Sequence, residues 1–191
     1  MKEILRQYLA RRFKHRISDP ERVPSAVVLP LLIKNGEYWI LFIKRTETVE
    51  HHKGQISFPG GRREPEDSSL RDTALRELNE ETGIPSTAIE ILGELDDSLT
   101  LTSNYVISTF IGIITNPYDY KPDTKETAYI IEIPISALLK KDPLKEETYT
   151  NDVSTDTVVY TYQNQVIWGA TARILKQFLE IWNLLTNRQP G

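Results

Sequence analysis

An α/β fold, a mixed β-sheet flanked by helices, is what this sequence predicts. Short β-prone runs recur along the whole chain, only a few segments have helical periodicity, and the two do not alternate as they would in a parallel βαβ protein. At 191 residues the chain can bury one sizeable core, and a single domain over residues 1–191 is expected. No apolar run is long enough for a membrane helix. The absence of cysteine excludes a disulfide framework, thiolate catalysis and Cys-ligated zinc, and fits a reducing, cytoplasmic setting. A net charge of −4 argues against a nucleic-acid duplex as partner, since duplex affinity rests on neutralising phosphates. A homodimer is compatible with the sequence.

The elements follow in order. Met1 to Ile17 carries Lys2, Arg6, Arg11, Arg12, Lys14 and Arg16 against Glu3 alone. It reads as a basic surface helix packed on the domain, docked through Ile4, Leu5, Tyr8, Leu9 and Phe13. It lacks the apolar stretch of a signal peptide. Ala26 to Ile33 and Tyr38 to Lys44 are β-prone runs around Asn35-Gly36, the strongest short hairpin signal. Phe58-Pro59-Gly60-Gly61 reads as loop, unfit for a helix or a central strand. From Ser69 to Thr82 the pattern is helical, with Ser69 and Asp72 spaced as a capping box and Gly83 placed as the C-terminal cap. Strand-like runs recur at Ile89 to Leu95, Val106 to Ile114, Ala128 to Ile133, Thr157 to Tyr162 and Val166 to Trp168. A last helix spans Ala170 to Leu185.

The middle helix carries the chemistry. Glu77, Glu80 and Glu81 stand at i, i+3 and i+4, which puts three carboxylates on one face. Ala74, Leu75 and Leu78 form the adjoining face that docks on the core. Three like charges repel, and a hard divalent cation such as Mg²⁺ or Mn²⁺ removes that cost. A Glu-rich helix alone is more often a solvated face. Here Gly60-Gly61 upstream allows close backbone approach and offers a free carbonyl, and Arg76 can orient a carboxylate by a forked ion pair.

Arg76-Glu77-Leu78-Asn79-Glu80-Glu81-Thr82-Gly83-Ile84, with Gly61 upstream, resembles the signature of the Nudix hydrolase superfamily. The gap from Gly61 to Arg76 holds fourteen residues where the signature usually has thirteen, so Asp67, then Glu66, is the nearest candidate for its intervening acidic residue. Lys44-Arg45-Thr46 followed by His52-Lys53-Gly54-Gln55-Ile56-Ser57-Phe58-Pro59-Gly60-Gly61 is similar to the coenzyme A pyrophosphatase branch. Glu94-Leu95-Asp96-Asp97 and Trp168-Gly169-Ala170-Thr171-Ala172 also look like segments of those enzymes. Departures are Thr46, Ile43 and Glu50, the last standing where many members carry a base.

The resemblance implies a Nudix-type α/β/α sandwich that hydrolyses the pyrophosphate linkage of a small-molecule diphosphate in a Mg²⁺- or Mn²⁺-dependent reaction. It implies Glu77, Glu80, Glu81 and the Gly61 carbonyl as metal ligands, with Glu80 catalytic and Arg76 as orienter. Glu126, six residues before Glu132, is a candidate general base, equally readable as a solvated loop carboxylate. Arg45, His52 and Lys53 are candidate substrate contacts. His51-His52 is a poor metal pair, since neighbours on an extended chain point opposite ways. Trp168 and Trp182 read as packing residues rather than base-stacking platforms. Coenzyme A or acyl-CoA leads as substrate. ADP-ribose or another nucleoside diphosphate derivative is the alternative. A non-catalytic ligand sensor ranks below both, because the core glutamates are all present and no appended DNA-binding region is expected. A 3′-phosphate needs a cation, for which Lys53, His52, Arg45 and the basic N-terminal arm are available.

Overall fold

The computed structural model describes residues 1–46, 54–101, 103–115, 119–140, 143–150 and 153–187, with only the backbone described for 144–150 and 153–157. The Asn-Gly hairpin is present. Strands β1 (Val23–Lys34) and β2 (Glu37–Arg45) pair antiparallel around a two-residue turn, with Asn35 and Gly36 at φ 51° and 79°. Two successive positive φ values are what a type I′ turn demands, and Asn-Gly adopts them at least cost.

Beyond that turn the two strands diverge, and the wedge is filled. Strand β3 (Ile56–Ser57) pairs with β2 at Ile43 and Lys44, whereas β4 (Gly60–Arg62) pairs with β1 at Ser25 to Val27. The Phe58–Gly61 stretch, expected to be loop, therefore contributes a short strand. Pro59, which has no N–H to give, accepts from Val28 N through its carbonyl at 2.9 Å. Helix α2 (Leu70–Thr82) follows, then β5 (Ile89–Glu94), β6 (Ser98–Leu99), β7 (Tyr105–Ile114) and β8 (Thr127–Pro134). Strand β7 runs parallel to β1, with Val23 opposite Tyr105 through Leu31 opposite Ile113. Strand β5 borders β7, and β8 borders the far edge of β2. This is a mixed sheet.

Side chains alternate across it. On one face Val28, Leu41, Ile43 and Phe110 meet Ala74 and Leu78 of α2. On the other, Leu29, Leu31, Phe42 and Ile111 meet three helices: α1 (Lys2–Arg11), the short α3 (Ile135–Leu139) and α4 (Gly169–Thr186). A small antiparallel sheet of β9 (Leu144–Thr150), β10 (Val153–Tyr162) and β11 (Gln165–Ile167) lies on that same side. The helices thus flank the sheet as expected, although α3 and β9 carried no legible periodicity. Trp182 packs edge-on against Tyr38 at 4.9 Å, but Trp168 is 43% exposed and does not join the core.

The N-terminal segment is helical only to Arg11. Beyond it the chain runs extended, because carboxylates of the β5–β6 connection take the backbone donors a helix would have used. His15 N donates to Asp96 Oδ1 (2.9 Å) and Ile17 N to Asp97 Oδ2 (3.0 Å), while His15 O accepts from Asp97 N (3.0 Å). Leu5 and Leu9 are buried as expected, whereas Phe13 is 87% exposed rather than docked. Five of the six basic side chains are paired on this side of the sheet, Lys2 and Arg6 with Glu90, Arg12 with Asp96, and Lys14 and Arg16 with Glu94. Among the described residues no helix is long and apolar enough to cross a membrane.

Because Leu5 is fully enclosed between α1 and the sheet, Leu5→Ala should lower unfolding free energy by about 2–5 kcal/mol. Urea denaturation measures it, and an unchanged midpoint would show that α1 is not part of the cooperative core.

Candidate active site

Helix α2 is fixed at both ends. Ser69 Oγ accepts from Asp72 N at 3.2 Å, and Gly83 adopts φ 76° while its N–H reaches Asn79 O at 2.8 Å. Both caps were legible in the sequence. The helix lies against β4 so closely that a Cβ on Gly61 would collide with the Glu77 carboxylate, and one on Gly60 would fall 2.6 Å from Val27 Cα. Glycine at both positions is what lets helix, β4 and β1 meet.

That approach buries the carboxylates unequally. Glu81 is 2% exposed. Its Oε2 accepts from Gly60 N at 2.9 Å and its Oε1 from Arg45 Nη1 at 3.2 Å. Burial pushes the Glu81 carboxyl up to about 8, against the pull of the Gly60 N–H and Arg45, with the charges of Glu77 and Glu126 adding to the rise. Glu77 is raised chiefly by burial too; Arg76 opposes the shift and the charges of Glu80 and Glu126 reinforce it. The Glu80 side chain is 54% exposed and meets Arg76 Nη1 at 3.0 Å.

Arg76 donates to three carboxylates, and its principal partner is Asp67. Its Nε and Nη2 grip Asp67 Oδ1 and Oδ2, both at 3.0 Å, while Nη1 reaches Glu77 Oε1 at 2.9 Å and Nη2 also reaches Arg62 O at 3.2 Å. Asp67 is buried and accepts from Glu64 N and Thr73 Oγ1, both at 2.9 Å. The Arg76 guanidinium, aided by those donors, holds the Asp67 carboxyl well below the usual carboxylate range despite burial. Asp67 thus faces Arg76, which is the part its altered spacing left open. Glu66 is exposed in the preceding turn.

Glu126 is exposed beside the start of β8. Its carbonyl accepts from Thr46 N at 2.9 Å, and the register sets Thr127 opposite Arg45. The end of β2 and the start of β8 thereby bring Arg45 and Glu126 to the same edge of the cluster. His52 and Lys53, like Glu50 and His51, lie outside the described residues.

The donors of this cluster are hard oxygens, which suits Mg²⁺ or Mn²⁺. The space kept free by Gly61 beside the Glu77 carboxylate and the raised Glu77 and Glu81 carboxyls are what a cation-binding site would show. The residues therefore fit a divalent ion, to which Glu77, Glu80, Glu81 and the Gly61 carbonyl could contribute. Among the described residues no three acidic or imidazole groups stand ready-made as a metal set. The glutamates are turned to Arg76, Arg45 and Gly60 N instead.

The NUDIX domain family model matches residues 21–151. The chain belongs to the Nudix family. An uncharacterised Nudix hydrolase NudL of Yersinia enterocolitica is 31% identical over 161 residues, covering 84% of this chain and 82% of the relative. A NudL protein of Yersinia pestis, likewise uncharacterised, is 29% identical over 190 residues, covering 91% and 94%. Among solved structures, a MutT/nudix family protein from Enterococcus faecalis superimposes with TM-score 0.56 at 14% identity, over 96% of this chain and 70% of that one. An Ap4A hydrolase of C. elegans in a binary complex gives 0.51 at 16%, over 62% and 84%. Those two likenesses concern the Nudix fold.

Asp67→Asn should cost about 1.5–3 kcal/mol at pH 7, the range for a hydrogen bond to a charged group. A carboxyl depressed in the folded state stabilises the fold above its unfolded pKa of about 3.9 and loses that contribution as pH falls through the folded value. The wild-type advantage should therefore shrink below about pH 4. Denaturation curves at pH 7 and pH 3 test the sign; a gap that widened in acid would refute it.

Proposed function

We propose that this Nudix hydrolase cleaves the pyrophosphate linkage of coenzyme A or acyl-CoA, giving adenosine 3′,5′-bisphosphate and 4′-phosphopantetheine. The observation that carries the hydrolytic reading is the packing of Glu77 and Glu81 against Gly60-Gly61, with Glu80 beside them and an arginine at each end. A divalent ion held there would neutralise the diphosphate and acidify a bound water. Arg76, anchored by Asp67, keeps Glu77 and Glu80 in place. Glu126, exposed at the rim near Glu81, can take a proton from the attacking water without first leaving a buried site. Arg45 can donate to a phosphate oxygen.

The coenzyme A assignment is supported by the Arg45-Thr46 and Phe58-Pro59-Gly60-Gly61 segments, which the fold joins at one edge of the glutamate cluster. One observation favours ADP-ribose or another nucleoside diphosphate derivative instead. Most of the N-terminal arm's cations, proposed as partners for the 3′-phosphate, are paired with Glu90, Glu94 and Asp96. The arm's helix packs on the sheet face opposite α2.

Activity should require Mg²⁺ or Mn²⁺ and vanish with EDTA. Glu80→Gln and Glu81→Gln should each reduce kcat by orders of magnitude with the fold intact; near wild-type turnover in either would remove that residue from the machinery. Glu126→Gln should lower kcat with KM little changed and flatten the acidic limb of the pH–rate profile. An unaltered kcat would shift the base role to the helix glutamates. For substrate, kcat/KM for coenzyme A should exceed that for dephospho-coenzyme A and ADP-ribose at least tenfold, about 1.4 kcal/mol. Mass-spectrometric product identification decides this, and equal or better turnover of ADP-ribose would promote the second reading.

A further inference from the structure

The two arginines that bracket the glutamates are held very differently. Every nitrogen of the Arg76 guanidinium has an acceptor, and two of them form a fork on buried Asp67. Among the described residues the Arg45 guanidinium makes one contact, Nη1 to Glu81 Oε1 at 3.2 Å, and its Nε is buried without an acceptor. Thr127, opposite Arg45 in the register, likewise has a buried hydroxyl without a partner among them. Donor capacity at this end of the sheet exceeds what those residues use.

Glu81 is the shared element. Buried and already bonded to Gly60 N, it is the carboxylate to which Arg45 donates. A divalent cation entering at Glu81 would replace that contact with twice the charge, and it would repel a guanidinium a few ångströms away. Arg76 is held in place by its fork on buried Asp67 and by acceptors for its remaining nitrogen. Arg45 can yield, since among the described residues one contact holds its guanidinium and the side chain is partly exposed.

We propose that Arg45 is an exchangeable counter-ion: it neutralises Glu81 until a divalent cation binds, then leaves Glu81 and presents its guanidinium to a phosphate oxygen of the substrate. This rests on the metal reading above and adds an order of events to it. The cation binds first, because its arrival releases the substrate-binding arginine. Arg45 therefore opposes metal binding and favours diphosphate binding, two effects that a merely structural arginine would not separate.

The test uses the full chain, without substrate. Mn²⁺ binding is followed by the EPR signal of the free ion for wild type and Arg45→Gln. Arg45→Gln should bind Mn²⁺ at least threefold more tightly. In the Mn²⁺-loaded protein, affinity for α,β-methylene-ADP, measured by calorimetry, should fall at least tenfold. Mn²⁺ binding equal to or weaker than wild type would overturn the proposal. If the variant does not fold, the wild type decides through arginine Nε–H NMR signals, assigned with Arg45→Lys. Mg²⁺ should shift the Arg45 signal and leave that of Arg76 in place; an unmoved Arg45 signal overturns the proposal. A wild-type protein that binds no Mn²⁺ at all defeats the metal reading itself, which distinguishes that failure from failure of the exchange alone.

Discussion

Close contact between α2 and the Gly60-Gly61 strand is the constraint on which the other features depend. With no Cβ on either glycine, the helix and β1 both come within van der Waals reach of the β4 backbone, and Glu77 and Glu81 are carried out of water. Burial raises both carboxyls, and neighbouring carboxylates add to it, Glu80 and Glu126 at Glu77, Glu77 and Glu126 at Glu81. A Cβ at Gly60 would strike the β1 backbone, and one at Gly61 would displace the Glu77 carboxylate from its place. The same geometry makes the Gly60 N–H available to Glu81, so one approach both creates the desolvation cost and partly offsets it.

The divergence of β1 and β2 is the larger-scale counterpart of this contact. A hairpin paired along its full length would have left no room for β3 and β4. Because pairing stops at Leu31 opposite Ile40, the wedge admits the Phe58-Pro59 bend, which delivers Gly60 and Gly61 beneath α2. The free end of β2 then carries Arg45 to Glu81, and β8 on its other edge brings Glu126 nearby. Helix α2, β4 and the end of β2 thus meet at Glu81, with Glu126 nearby.

Charge is partitioned across the molecule in a way that composition does not reveal. The basic N-terminus is compensated by Glu90, Glu94 and Asp96 on its own side of the sheet, where it ties the β5–β6 connection to the body. At the glutamate cluster Arg45 and Arg76 face a carboxylate excess that includes Asp67 and Glu126.

The sequence by itself determined the features with short-range causes. The Asn35-Gly36 turn, the Ser69 and Gly83 caps, the shared face of Glu77, Glu80 and Glu81, and the alternation of the long strands follow from backbone preference and periodicity. The Nudix signature was legible for the same reason, because its helix and loop are contiguous. Tertiary structure alone decided what depends on distant partners. Asp67 and Arg76 are nine residues apart, and only the folded loop closes their fork. Helix α1 ended at Arg11 because carboxylates more than seventy residues away took its backbone donors. Phe13 and Trp168 have the same apolar character as residues that are buried, and only packing left them outside. Periodicity reports what a segment can form; which charge meets which is fixed by long-range geometry, and at this site that geometry sets how firmly each arginine is held.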